Sequence, residues 1–307
     1  MYPQKVTVIG ELMNNSYARA RNAWRQRNLD GYRALALRQT QLGAEFLTLN
    51  LDGTHKLAVN LAEMLEFLPK VIPAIQEVTD LPLSFDHPHL AFHREAMKHY
   101  DPSKASGRPT LNSLSVTRED LDGMIDLAAE HDMNVIVMAS ECIRPDGTHG
   151  AVETPADIVR TARHFADLLR ARADFSNDRI IVDPGLCPLA SDTHGGVNLC
   201  LDSIRALRAE PDLAGIHISL GLSHVANGAP KGLSVPLERA FLRIAMNVGL
   251  DYVIANPEKN TRPMRPFDPL VVVLERILEE GRRHPDESVE EAGFRQLDAL
   301  MELWSIL

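Results

Sequence analysis

Eight short apolar runs recur along the chain: 5–10 (KVTVIG), 45–50 (EFLTLN), 81–86 (LPLSFD), 108–113 (RPTLNS), 134–139 (NVIVMA), 179–183 (RIIVD), 215–220 (GIHISL) and 251–255 (DYVIA). They are rich in β-branched residues and almost continuously apolar, as strands covered on both faces should be. Between them, apolar positions follow a 3.6-residue period over 17–43, 56–77, 89–99, 117–131, 155–173, 197–209, 234–248 and 267–282, which predicts amphipathic helices. Thr117 with Asp120 three residues on resembles a capping box, and Thr154-Pro155 puts proline in a first helical turn. Strict alternation of strand and helix predicts parallel strands joined by right-handed crossovers. The expected fold is a (β/α)8 barrel forming one domain over 1–307. A doubly wound sheet fits less well, because polar residues follow strands on every side and not at one switch point. The tail 286–307 carries Leu297, Leu300, Trp304 and Leu307 on one stripe. It predicts an additional C-terminal helix that covers the barrel or a second subunit.

Several strands end on a polar residue. Asp86 closes the third run, Asn112 lies near the end of the fourth, Asp183 closes the sixth, and the turn Gly221-Leu222-Ser223-His224 follows the seventh. In a barrel these tips converge on one mouth, where such folds keep their chemistry. Two aspartates and an asparagine suit a flat neutral heterocycle rich in N–H donors, such as a pterin, and suit a phosphate poorly. Each residue taken singly has a plainer explanation. Asp183-Pro184 can simply stop a strand, Asp86 can orient His87 and His89, and Asn112-Ser113 can form a local turn. Together they mean more, since buried carboxylates need partners and a heterocycle's N–H edge supplies them.

The net charge of −10 argues against nucleic-acid and acidic-membrane partners. No apolar run approaches the ~18 residues of a membrane span, and the start MYPQKVTVIGE enters a strand with no secretory signal pattern. Cys142, Cys187 and Cys200 lack CxxC spacing and are odd in number, as expected of reduced thiols. A cytoplasmic location is expected.

The segments GELMNN (10–15), LTLNLDG (47–53), LSFDHPH (83–89), PTLNS (109–113), VDPGLCPLA (182–190) and GLSHVANG (221–228) resemble, in order, the pterin-binding methyltransferase family. That family includes the methyltetrahydrofolate:corrinoid protein methyltransferases, the folate domain of cobalamin-dependent methionine synthase and, more distantly, dihydropteroate synthase. The resemblance covers about residues 5–260, and FLRIAMNVGLDYVIAN (241–256) is similar to the methyltransferase branch. It implies that Asp183 takes the 2-amino and N3–H donors of the pterin, that Asn112 reads another edge, and that Asp86 lies near the reacting nitrogen. It further implies that Gly221 and Ser223 let backbone approach the ring, with Asn50 and Glu11 in supporting places. His224 stands where that family commonly has an asparagine beside N5, and Asn227 lies in the same loop. A neutral histidine could take the N5 proton, or Asn227 could replace the missing amide.

The implied activity is methyl transfer between N5 of tetrahydrofolate (or 5-methyltetrahydrofolate) and the cobalt of cobalamin carried by a separate corrinoid protein. Transfer from the methyl-corrinoid to tetrahydrofolate fits one-carbon metabolism, and the resemblance suggests a homodimer. Tetrahydromethanopterin is an alternative to tetrahydrofolate. Other readings stay open. A metal-dependent hydrolase could use the pair His87 and His89, with His93 and His99 beyond, but Asp183 or Asn256 would have to complete the site and no metal ligand set is expected. A Cys142 or Cys187 nucleophile lacks a local base. A dihydropteroate synthase would want a Ser-Arg-Lys segment where this chain has GLSHVANGAPKG. A non-catalytic pterin- or corrinoid-protein-binding barrel is the contrasting class.

Overall fold

The computed structural model describes residues 5–144 and 146–306. In chain order the elements are β1 (Thr7–Asn14), α1 (Ala18–Arg25), α2 (Leu29–Gln41), β2 (Phe46–Asn50), α3 (Leu61–Gln76), β3 (Leu83–Asp86), α4 (Leu90–His99), β4 (Thr110–Leu114), α5 (Leu121–Glu130) and β5 (Asn134–Met138). They continue with β6 (Glu141–Ile143), β7 (His149–Ala151), α6 (Pro155–Ala173), β8 (Ile180–Asp183), α7 (Gly196–Ala209), β9 (His217–Ile218), α8 (Ser234–Val248), β10 (Tyr252–Ala255), α9 (Pro269–Glu280) and α10 (Val289–Ile306). Eight strands pair in parallel in the order β10-β1-β2-β3-β4-β5-β8-β9. The ring closes where the Ile254 N–H donates to the Leu220 carbonyl at 2.9 Å, beside a Gly221–Ile254 bridge. This is the expected (β/α)8 barrel.

Side chains alternate across each strand, so the sheet separates two cores. Residues such as Leu47, Phe85, Leu111 and Val137 pack outward against the helices. Ile9, Ile136 and Ile181 form a separate buried cluster with Phe46, Tyr252 and Ile254 inside the barrel. Two positions further along the same inward rows stand Glu11, Thr48, Met138 and Asp183, which reach the mouth. The interior thus grades from apolar to polar toward the carboxyl ends of the strands.

Two irregularities lie at that end. Against β2, the register of β1 shifts between Gly10 and Met13, so Glu11 and Leu12 bulge. The Leu12 N–H turns to the Gln39 side-chain oxygen at 2.8 Å. Gly10 is required here, because a Cβ would lie 2.5 Å from that oxygen. In β4 the register shifts between Asn112 and Leu114, bulging Ser113. Bulges of this kind re-aim side chains beside functional sites.

The sequence-based boundaries need four corrections. The stretch 17–43 is two helices: Arg27 has a positive φ of 49°, and the Asn28 side chain caps α2 by accepting the Gly31 N–H. The stretch 56–77 turns helical only at Leu61, where Asn60 and Glu63 form a reciprocal capping box. Thr117 does not cap α5; Asp120 does, while the Thr117 hydroxyl donates to Glu141 at 2.8 Å. The stretch between the strand 134–139 and the helix 155–173, to which the sequence pattern assigns no element, contains the antiparallel hairpin β6–β7. At Thr154-Pro155 the expectation holds, since α6 begins at Pro155, and the Asp157 carboxylate accepts from the Thr154 N–H and hydroxyl, both at 2.9 Å.

The C-terminal helix α10 uses its stripe within the chain. Leu300 is fully buried in the main core, and Leu297 and Trp304 pack partly against it. Leu307 lies outside the described residues. Among the described residues, no helix is long and apolar enough to cross a membrane.

Candidate functional site

The strand tips enclose a cavity of about 480 Å³ at the carboxyl end of the barrel, within the range of small-molecule sites. Of the residues singled out in the sequence, Glu11, Asp86, Asn112, Asp183, Gly221, Ser223 and His224 line it together. Asn14, Thr48, Ser113, Arg118, Met138 and Ser140 join them without having been anticipated.

Asp183 sits at the end of β8 and is 6% exposed. Its carboxylate accepts one backbone N–H, from Gly185 at 2.8 Å. Gly185 takes a φ of +82°, and a Cβ there would come within 2.9 Å of Ser140. Burial pushes the Asp183 carboxyl up to about 7, and the Gly185 bond offsets only part of this. A carboxylate with so few partners is ready for two parallel donors on a ligand.

Asp86 is held differently. Asn50 lines no part of the cavity, but its amide donates to Asp86 Oδ2 at 3.0 Å while its own oxygen accepts the Asp52 N–H at 3.0 Å. Asn50 therefore orients Asp86 from behind. Burial raises the Asp86 carboxyl above its ordinary value, with the Asn50 bond and the Arg118 charge acting the other way. Asn112 is 5% exposed on β4, in register with Asp86.

On the far side of the mouth, Glu11 accepts from the Tyr17 hydroxyl at 2.5 Å. Burial raises its carboxyl, the Tyr17 bond lowers it, and Glu238 and Asp86 raise it further. Gly221 begins a 3-10 turn, Leu222–Ala226, and a Cβ on it would meet the His224 ring at 3.1 Å. His224 is an exposed residue at the rim, where desolvation by the turn lowers its proton affinity. Asn227 follows the turn, is exposed and lies outside the cavity lining, so the structure does not bring it to the other residues.

The histidines after β3 serve one another. His87 Nδ1 accepts the His89 N–H at 3.1 Å, and its Nε2 lies 3.2 Å from Asp52. His93 Nε2 bonds the His87 carbonyl at 2.8 Å. Among the described residues, no three His, Cys, Asp or Glu side chains are grouped to hold a metal ion. Cys187 is partly buried, and burial pushes its thiol up to about 12, far from the thiolate a nucleophile needs.

Arg118 is the cation that motif reasoning missed. It lies in the β4–α5 connection, in a stretch that reads as helix by period alone. Its one sequence signal is proximity to Asn112. Among the described lining residues it is the one Lys or Arg, beside three carboxylates.

The family model for pterin binding enzymes matches residues 11–256. Among solved structures, the chain is similar to the 7,8-dihydropteroate synthase of Vibrio fischeri (TM-score 0.60, 17% identity, 91% of this chain and 95% of that one). It is also similar to Yersinia pestis dihydropteroate synthase with a pterine-sulfa conjugate (0.59, 16%, 97% and 94%). A third likeness is to the Coxiella burnetii synthase in complex with pteroic acid (0.57, 16%, 100% and 96%). At such identities the structural likenesses establish the fold alone. The family match spans most of the chain, and the protein belongs to the pterin-binding enzyme family.

Proposed function

We propose that this member of the pterin-binding enzyme family is a methyltransferase acting between N5 of tetrahydrofolate and the cobalt of a corrinoid on a separate protein. The observation that carries the reading is the charge of the mouth. Glu11, Asp86 and Asp183 line it, and the only Lys or Arg among the described lining residues, Arg118, is tethered to Ser113. Such a lining complements the N–H edge of a reduced pterin. The turn Gly221-Leu222-Ser223 also resembles the methyltransferase branch, with His224 where that branch commonly has an asparagine.

In the forward reaction N5 attacks the methyl carbon, the cobalt–carbon bond breaks with its electron pair left on cobalt, and the N5 proton departs. His224, at the rim and held toward its neutral form, is the proposed proton acceptor. Asp183, Asn112 and Asp86 would hold the ring flat, so that the protein's contribution is mainly orientation. The direction from methyl-corrinoid to tetrahydrofolate, and a homodimeric assembly, belong to the same proposal.

A second reading is favoured by the structural likeness to dihydropteroate synthases: condensation of a pterin diphosphate with 4-aminobenzoic acid. Expelling diphosphate calls for cationic stabilisation of the leaving group, and one tethered arginine supplies little. Single-turnover incubation of the purified protein with methylcobalamin and tetrahydrofolate separates the two. Accelerated formation of 5-methyltetrahydrofolate supports methyl transfer. No methylated product, together with dihydropteroate formed from the diphosphate and 4-aminobenzoic acid, overturns it.

A further inference from the structure

Arg118 has no role in the reading above beyond its charge, yet its placement is specific. Its Nε donates to the Ser113 carbonyl at 2.9 Å, and a terminal nitrogen donates to the Ser113 hydroxyl at 3.0 Å. Both bonds land on the bulged residue of β4, directly after Asn112. The guanidinium plane is thereby fixed at the cavity wall by two donors of its planar fork, an orientation that a point-like ammonium would not define. The segment is braced from the other side as well. Thr117 donates to Glu141 on β6 at 2.8 Å, and Ser115 and Thr117 share a hydroxyl contact at 3.0 Å.

Asp86 lines the same cavity one strand away, in register with Asn112. Arg118 is not in ion-pair contact with Asp86 but acts on it through the cavity. The groups facing Asp86 are Asn50 from β2, Asp52 beyond β2, His87 beside it in the chain, Glu11 from β1, and Arg118. Asp52 and Glu11 oppose its ionisation. Asn50 is neutral and donates to the carboxylate, while a charge on His87 favours its ionisation as Arg118 does. Arg118 is thus the permanent positive charge in the set.

We propose that Arg118 is a positioning residue of the pterin site: clamped on Ser113, it sets the Asn112–Ser113 bulge and supplies the positive field in which Asp86 meets a ring N–H as a carboxylate. This rests on the pterin-binding reading of the mouth and on no particular reaction. It also explains why one cation belongs in an acidic mouth. A cation free to reach the ligand would compete with the N–H donors, whereas one tied to Ser113 acts at a distance.

The test is calorimetric titration of tetrahydrofolate between about pH 5 and 8.5, with folding checked by circular dichroism. The proteins are the wild type, Arg118→Gln, Arg118→Lys, Asp86→Asn and the Arg118→Gln/Asp86→Asn double variant. Ligand ionisation is common to all, so only differences between variants count. Arg118→Gln should weaken binding about tenfold near neutrality and move the acid limb upward. Arg118→Lys should restore most of the limb position while keeping part of the affinity loss. In the Asp86→Asn background, Arg118→Gln should add less than about a twofold effect on the limb. A wild-type limb in folded Arg118→Gln, or the same limb shift with and without Asp86, overturns the inference. Wild-type protein that fails to bind tetrahydrofolate overturns the pterin-site reading itself and the inference with it.

Discussion

Two aspartates at opposite ends of the barrel show what separates its scaffold from its site. Asp251, at the amino-terminal entrance to β10, is saturated. Its carboxylate takes the Ile218 N–H at 2.8 Å, the Arg208 guanidinium at 2.6 Å and His217 Nδ1 at 2.8 Å. Asp183, at the carboxyl end of β8, is more deeply buried and takes one backbone N–H. A chain that needed only stability would pair both, since a buried charge without partners is costly. The lower aspartate ties two strands and a helix together within the chain. The upper one is left open, and completing it is the work assigned to a ligand.

The comparison can be broken by exchanging the losses. Asp183→Ala should fold and melt close to wild type while losing about 2–5 kcal/mol of tetrahydrofolate affinity, the usual cost of removing one member of a buried charge-assisted pair. Calorimetry and a thermal melt on the same sample check both halves. Asp251→Ala should do the reverse, costing about 3 kcal/mol of stability by leaving Arg208 without its carboxylate. Its pterin affinity should stay within about twofold. If Asp251→Ala weakened binding as much as Asp183→Ala, the division between scaffold and site would fail.

A smaller effect sharpens the picture within the mouth. His224→Asn should leave tetrahydrofolate affinity within about twofold, because the ring stands at the rim and not among the anchors. In single-turnover methyl transfer to tetrahydrofolate, wild-type rates should rise as pH climbs through a value below the ordinary histidine pKa of about 6.5, as the base becomes neutral. His224→Asn should flatten that limb. An unchanged pH profile would make the histidine a spectator and leave the proton to water.

Much of this arrangement was legible in the chain, for a physical reason. Parallel strands covered on both faces are apolar almost throughout, so polar residues ending several such runs, as at Asp86 and Asp183, point together to one mouth although each alone has a plainer explanation. Helix boundaries were less legible where the signal was local: the amide of Asn28 splitting α1 from α2, or the Asn60–Glu63 box delaying α3. The β6–β7 hairpin has arms of three residues, too short to show a period. Arg118 was hidden for another reason. Its importance comes from a bulge at Ser113, in the strand just before it, and from charges on other strands, which a hydrophobic period does not record. Asn50, read as a supporting residue of the mouth, donates to Asp86 and lines no part of the cavity.

The central claim is that the open carboxylate of Asp183 is completed by a pterin, and proton counting tests it directly. Burial raises the free group, so ligand-free Asp183 holds its proton until the pH passes about 7. Two N–H donors would stabilise the ionised form, and binding below that pH should release the proton. Tetrahydrofolate titrated at pH 6 in two buffers of different ionisation enthalpy should release close to one proton per site. The release should fall toward zero at pH 8.5, and Asp183→Asn should lose most of it at pH 6. Tight binding at pH 6 without proton release, or with the same release in Asp183→Asn, would contradict the account.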